Sequence, residues 1–433
     1  MSAPVLLASL RRLNLQNRTE PARDSSGSVR KCALARAPVR RLKKKRRDGG
    51  APMIDFTLSE EQAAIREMAE AFALAEIAPK ALEWDAEKHF PLDVLAAAGE
   101  LGLGAIYTRD DVGGTGLGRM EAALIFEALA KGCPTLAAYV SIHNMCCWMI
   151  DAYGSEAQRA EWCPRLATMQ ELGSYCLTEP GAGSDAAALS TKAVREGDEY
   201  VLTGQKQFIS GAGASAVYVV MARTGEPGPK GISAFLVPKD APGLSFGANE
   251  KKMGWNAQPT RSVNFDKARI PAANLLGQEG RGFNIAMAGL NGGRINIAAC
   301  SLGGAQRALD LTIPYLRDRK AFGGPLLDLP TIRFELADMA TEIEASRMML
   351  WRAATALDAK TPDAPKLCAM AKRFITDSCF RVADSALQMH GGYGYLSEYG
   401  IEKILRDLRV HRILEGSNEI MRLVVSRALV EEV

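Results

Sequence analysis

YCLTEPGAGSD at 175–185 marks the point where the chain changes character. Before it, residues 60–87 read EEQAAIREMAEAFALAEIAPKALEWDAE and residues 120–132 read MEAALIFEALAKG. Both runs are rich in Ala, Leu and Glu, with apolar residues at helical spacing. After it come short β-type runs, AVYVVMART at 216–224, GISAFLVPKD at 231–240 and TRSVNFDKARI at 260–270, separated by Gly and Pro turns. Helical periodicity returns in GRINIAACSLGGAQRALDLTIPYLRDR at 293–319 and in FELADMATEIEASRMMLWRAATAL at 334–357. Helices, then strands, then helices predict a mainly α protein with a β domain inserted between two helical domains. The boundaries expected are 53–172, 173–285 and 286–433, after a basic extension at 1–52. No period of roughly 20–50 residues repeats along the chain.

The loop itself carries Gly181 and Gly183, which let a ligand approach the backbone, and Thr178 and Ser184, which offer hydroxyls. GAGSDA matches the dinucleotide pattern G-x-G-x-x-A, but a strand-like stretch follows it instead of the helix that a Rossmann unit requires. Taken alone, the loop reads as a surface turn.

Composition narrows the classes. The apolar share is 47%, enough for a sizeable core, and no run of 18 uninterrupted apolar residues predicts a membrane span. Nine scattered cysteines without a C-x-x-C pair argue against a disulfide framework or a zinc site and for a reducing compartment. The net charge of +3 hides an asymmetry: residues 1–52 carry 14 Lys/Arg against 3 Asp/Glu, so the rest of the chain is acidic by −8. That segment lacks apolar periodicity and reads as disordered. A start codon assigned too far upstream is the favoured reading, because Met53 opens MIDFTLSEEQ, with Ser59 as a helix cap. A mitochondrial transit peptide and a nucleic-acid-binding tail are the alternatives.

Four further motifs are each ambiguous alone. KQFISGAG at 206–213 ends a β-type run with an aromatic, a β-branched residue and a hydroxyl, a set that could pack on a flat ring or simply be strand-end core. RKAFGGPL at 319–326 and QMHGGYGY at 388–395 have the look of helix C-termini. HRILEGSNEIMRLVV at 411–425 puts one acid, Glu415, on a break between two apolar-faced helices; Gly416 and Ser417 suit the start of the second.

In this order and in these zones, TEPGAGSD, FIS, RKAFG, QMHGGYGY and ILEGSNEI resemble the acyl-CoA dehydrogenase family, from about Met53 to Val433. SIHNMCCWMIDAYG, VVMARTGEPGPKGIS, GWNAQPTRSVNF, GLNGGRINIA and ALQMHGGYGYL resemble the branch of that family acting on isobutyryl-CoA in valine breakdown. The resemblance implies an N-terminal helical domain, a central β barrel and a C-terminal four-helix domain, assembled as a homotetramer built from dimers. It implies FAD as cofactor, an acyl-CoA as substrate, an electron-transferring flavoprotein as acceptor, no metal, no nucleic acid and no membrane insertion. A bacterial cytoplasmic enzyme is expected, or a mitochondrial matrix enzyme if 1–52 is a transit peptide.

By similarity, Tyr175, Cys176, Leu177, Thr178, Gly183 and Ser184 line the flavin, and Phe208, Ile209 and Ser210 cover another side of it. Arg319, Phe322, Gln388, Gly391 and Gly392 match positions that hold the ADP half across the dimer interface, while Ser417, Asn418 and Glu419 complete the cofactor wall. Ser184, Asn291, Arg294, Gly416 and Arg427 match positions that touch the acyl-CoA. Many relatives have Gln where this chain has Pro330, so that contact to FAD is expected to be missing or replaced.

The chemistry implied removes a proton from the α carbon and a hydride from the β carbon, and the proton needs a carboxylate base. Glu415 matches that base by resemblance. Its apolar neighbours would raise its pKa, and its backbone N–H suits the thioester carbonyl. Other branches carry the base on the helix matching GLNGGRINIA, where this chain has Gly293. The alternatives are a dehydrogenase of 2-methylbutyryl-CoA or butyryl-CoA, and a non-catalytic DNA-associated flavoprotein on the same fold. An acyl-CoA oxidase is disfavoured, because no extra C-terminal helical domain is read.

Overall fold

The computed structural model of the protein describes residues 56–431; the basic segment at 1–52 lies outside them. Among the described residues six α-helices come first: α1 Glu60–Phe72, α2 Ala81–Glu87, α3 Leu92–Glu100, α4 Arg119–Gly132, α5 Pro134–Tyr153 and α6 Glu156–Ala167. Ser59 caps α1 as expected: its Oγ accepts from the Gln62 N–H, and Gln62 Oε1 accepts from the Ser59 N–H, both at 3.1 Å. Helices α4 and α5 are buried on nearly every side, which explains why their sequences show little polar face.

Eight strands follow: β1 Gly173–Cys176, β2 Lys192–Glu196, β3 Glu199–Ser210, β4 Val217–Arg223, β5 Ile232–Pro238, β6 Leu244–Phe246, β7 Thr260–Pro271 and β8 Leu275–Leu276. They form one sheet in the order β6-β7-β3-β2-β4-β5-β8, with β1 parallel to β4. Gly197, at φ 63°, makes the two-residue turn that pairs Glu196 with Glu199 across β2 and β3. The β7–β3 ladder slips between Lys206 and Ile209, so the end of β3 bulges.

The 37-residue α7 Gly282–Asp318 returns the chain to helix, followed by a small β9 Lys320–Ala321 and β10 Gly324–Pro325 hairpin. Then come α8 Pro330–Asp358, α9 Ala364–His390, α10 Ile401–Arg409 and α11 Asn418–Glu431. Pro330 opens α8, where its missing N–H leaves no helical bond unmade. Helix α7 packs against α4, α5, α8, α9 and the sheet, so it ties the helical layers to the β domain. The protein is thus mainly α with an inserted β domain. Among the described residues no helix is long and apolar enough to cross a membrane.

Candidate active site

Glu415 lies in the turn between α10 and α11, in the left-handed region at φ 57°, with Gly416 at φ 88° behind it. A non-glycine residue held there stores roughly 1–3 kcal/mol of backbone strain, which the surroundings must hold in place. The surroundings here are two cations. Arg294 of α7 donates from Nε to the Glu415 carbonyl at 3.4 Å and from Nη1 to Asn291 Oδ1 at 2.7 Å. Lys372 of α9 donates from Nζ to the Gly416 carbonyl at 2.8 Å.

The Glu415 carboxylate lies against Gly293. A Cβ built on Gly293 would stand 2.7 Å from Glu415 Cδ and nearer still to Oε2. The side chain that other branches carry at this position would therefore overlap the carboxylate. Glu415 as a whole is half-buried, but Oε2 is sealed from solvent and has no hydrogen-bond partner. Desolvation raises its pKa to about 7, against the opposing pull of Arg294 and Lys372. The Glu415 N–H donates to no protein acceptor among the described residues.

Strand β1 faces this turn. Burial, and then the charge of Glu415, push the Tyr175 hydroxyl well above its ordinary pKa, and that hydroxyl is also buried without a partner. Cys176 and Leu177 are buried, Thr178 is half-buried, and Gly183 and Ser184 are exposed in the loop. The loop is anchored from below by a buried ion pair, Lys206 Nζ to Glu179 Oε1 at 2.7 Å, whose carboxylate also accepts from the Ser190 and Thr191 N–H groups. At the bulged end of β3, Ser210 O accepts from Ser174 Oγ at 2.6 Å and Ile209 is buried. Between them and Lys206 stands Phe208, in the left-handed region at φ 60° with its side chain 64% exposed. An exposed aromatic held in a strained conformation is a ready face for a flat ring.

A second locus gathers at the end of α7. Arg319, Gln388, Gly391 and Gly392 line one groove of about 550 Å³ together with Tyr315 and Tyr393. The Arg319 guanidinium lies 5.1 Å over the Tyr393 ring. Phe322 stands beside it at φ 52°, almost fully exposed, and does not line the groove. A forked cation, an amide and glycines with open space above them suit the phosphates of a large anionic cofactor. None of the residues of the Glu415 turn reaches this groove.

The remaining expected residues are scattered. Arg427 is exposed on α11, and Glu419 points to solvent. Ser417 Oγ accepts weakly from the Ile420 N–H at 3.4 Å. Asn418 is buried, and its amide is engaged with α9: Oδ1 accepts from Lys372, and Nδ2 donates to Thr376 and Asp377. Lys372 and the Lys206–Glu179 pair escaped the reading of motifs. Both had a signal. Lys372 interrupts the apolar stripe Leu367, Cys368, Ala371, Ile375, and Lys206 shares the strand face of Tyr200 and Leu202. Among the described residues no cluster could hold a metal ion, and the eight cysteines are free and buried.

The chain matches three family models in order: acyl-CoA dehydrogenase N-terminal domain at 59–170, middle domain at 174–268 and C-terminal domain at 280–430. It is 56% identical over 375 residues to a Bos taurus protein named isobutyryl-CoA dehydrogenase, mitochondrial, covering 87% of this chain and 90% of that one. A Dictyostelium discoideum protein of the same name is 56% identical over 373 residues, covering 86% and 90%. The solved structure of butyryl-CoA dehydrogenase from Megasphaera elsdenii superimposes with a TM-score of 0.85 at 36% identity, covering 87% of this chain and all of that one. On the three matched domains and on relatives this similar over most of its length, the chain belongs to the acyl-CoA dehydrogenase family, a family of flavoprotein oxidoreductases.

Proposed function

We propose that the protein is an FAD-dependent dehydrogenase that converts isobutyryl-CoA to methacrylyl-CoA in valine catabolism, with Glu415 as the base that takes the α proton. The observation that carries this reading is the Glu415 carboxylate, whose Oε2 is sealed from solvent without a partner and which packs on a glycine that leaves it room. A base with a pKa near the working pH combines a populated ionised form with enough basicity to remove a proton. The free Glu415 N–H is available to the thioester carbonyl, where it would stabilise enolate-like charge. Arg294 bonds both the Glu415 carbonyl and Asn291, and the two residues would meet the acyl-CoA beside the turn.

The residues fit a flavin dinucleotide. Thr178, Phe208 and Ser210 would hold its ring system, and Arg319, Gln388, Gly391 and Gly392 its phosphates and adenosine. When bound, the flavin supplies the acceptor for the β hydride. That the Arg319 groove shares no lining residue with the Glu415 turn supports a dinucleotide shared between two subunits of a dimer, within a homotetramer. An electron-transferring flavoprotein is the electron acceptor of this reading. Both relatives carry mitochondrial names, and the basic, acid-poor composition of 1–52 suits a transit peptide.

The test is the visible spectrum of the purified protein. A flavin band that bleaches with isobutyryl-CoA, and more slowly with 2-methylbutyryl-CoA and butyryl-CoA, is expected. Faster bleaching by either of the other two would reassign the substrate. A band that none of them bleaches would overturn the enzyme reading.

A further inference from the structure

We propose that Lys372 is a positioning residue for the dehydrogenation: its buried ammonium pins the turn that aims Glu415 and sets a positive charge behind the carboxylate. The proposal rests on the reading of Glu415 as the base. Lys372 is fully buried in α9, on a stripe it shares with the apolar Cys368, Ala371 and Ile375 and with the buried hydroxyl of Thr376. Taking an ammonium out of water is costly unless it is fully hydrogen-bonded. Both acceptors recorded for Lys372 lie at the turn and the first residue of α11: the Gly416 carbonyl at 2.8 Å and Asn418 Oδ1 at 2.9 Å.

The geometry does two things. First, the two carbonyls after the strained φ of Glu415 are each held by a cation, Glu415 O by Arg294 and Gly416 O by Lys372. The peptide planes of 415–417 are thereby fixed from the α7 side and the α9 side at once. Asn418 extends the clamp, since its amide ties Lys372 to Thr376 and Asp377 one turn along α9. Second, among the described residues no carboxylate forms a salt bridge with Lys372, and Asp377 on its own helix pairs instead with Arg373, Arg412 and Arg422, so the charge Lys372 carries acts on Glu415.

The charged groups around it come from every neighbouring element. Arg294 faces it from α7, Asp377 from its own helix, Glu419 from α11, and Glu415 from the turn. Burial lowers the ammonium to about 7, and Glu415 pulls it upward, which places both groups in the same range. His411, which bonds Ser301 Oγ at 2.7 Å, is pushed down to about 3 by burial and then by Lys372, and stays neutral.

The experiment compares Lys372→Gln, Lys372→Met and Lys372→Arg with the unchanged protein, all loaded with flavin. It measures the rate of flavin bleaching against pH with whichever acyl-CoA bleaches the unchanged protein. Lys372→Gln keeps a donor for the turn but loses the charge. Its profile should shift to higher pH by about one unit, with a plateau near that of the unchanged protein. Lys372→Met loses both, so the same shift should come with a plateau lower by roughly 10- to 100-fold, as expected when a base is misaimed. Lys372→Arg should keep the original midpoint. An unmoved midpoint in Lys372→Gln would show a lysine that only fills space and would overturn the proposal. So would loss of flavin from both Lys372→Gln and Lys372→Arg. Failure of the unchanged protein to bleach with any acyl-CoA would instead overturn the reading of Glu415.

Discussion

At the scale of the residue, the base proposed at Glu415 must be ionised to act, and burial raises its pKa to about 7. A carboxyl with a raised pKa is protonated below that value and ionised above it. Flavin reduction by substrate should therefore rise with pH through about 7 and level off above it, as a stopped-flow pH series would record. Glu415→Gln keeps size and shape but removes the base. Reduction should fall by at least roughly 10²- to 10⁴-fold, while the flavin spectrum still shifts on adding the thioester. A variant that reduces its flavin at the original rate would leave Glu415 as nothing more than a turn residue. The strained φ angles of Phe208 and Glu415 fit the same picture, because such conformations persist where the surroundings enforce them.

At the scale of the element, α7 carries the glycine pair Gly292–Gly293 inside its 37 helical residues, although glycine disfavours helix by about 1 kcal/mol relative to alanine. Gly292 leaves room for the Arg119 guanidinium, and Gly293 for the Glu415 carboxylate. Gly293→Ala should thus retain or raise the melting temperature while turnover falls at least tenfold, since the new methyl displaces a flexible carboxylate and not backbone. Equal activity would show that the turn can retreat. In β3, removing one member of the buried Lys206–Glu179 pair strands the other. Lys206→Met should lower stability by about 3–5 kcal/mol in denaturant melts, and flavin occupancy should fall with it, because Glu179 anchors the 179–185 loop. A loss below about 1 kcal/mol would mean that the loop does not depend on the pair.

At the scale of the whole molecule, the matched family domains begin at residue 59, and the first helix is closed by a Ser59–Gln62 capping box. A protein starting at Met53 should accordingly match the full chain in flavin content, turnover and the mass of the proposed tetramer in light scattering; loss of any of these would assign 1–52 a part in the fold. The order of helices, strands and helices was legible in the change of period at 175–185, because side chains repeat every 3.6 residues along a helix and every 2 along a strand. Glu415 and the glycine-flanked motifs stood out because they break those periods, but their roles were legible only through the family resemblance that they carry together. What the chain in one dimension determined was therefore the elements and the family. Tertiary structure alone decided that Gly293 makes room for a carboxylate more than 100 positions away, that Lys372 and Arg294 hold that carboxylate's turn from two helices, and that Asn418 is spent on α9. The physical reason is that burial and charge depend on what packs alongside: a lysine on an apolar stripe and a glutamate on a turn acquire their properties from each other only once α7, α9 and the last turn are brought together.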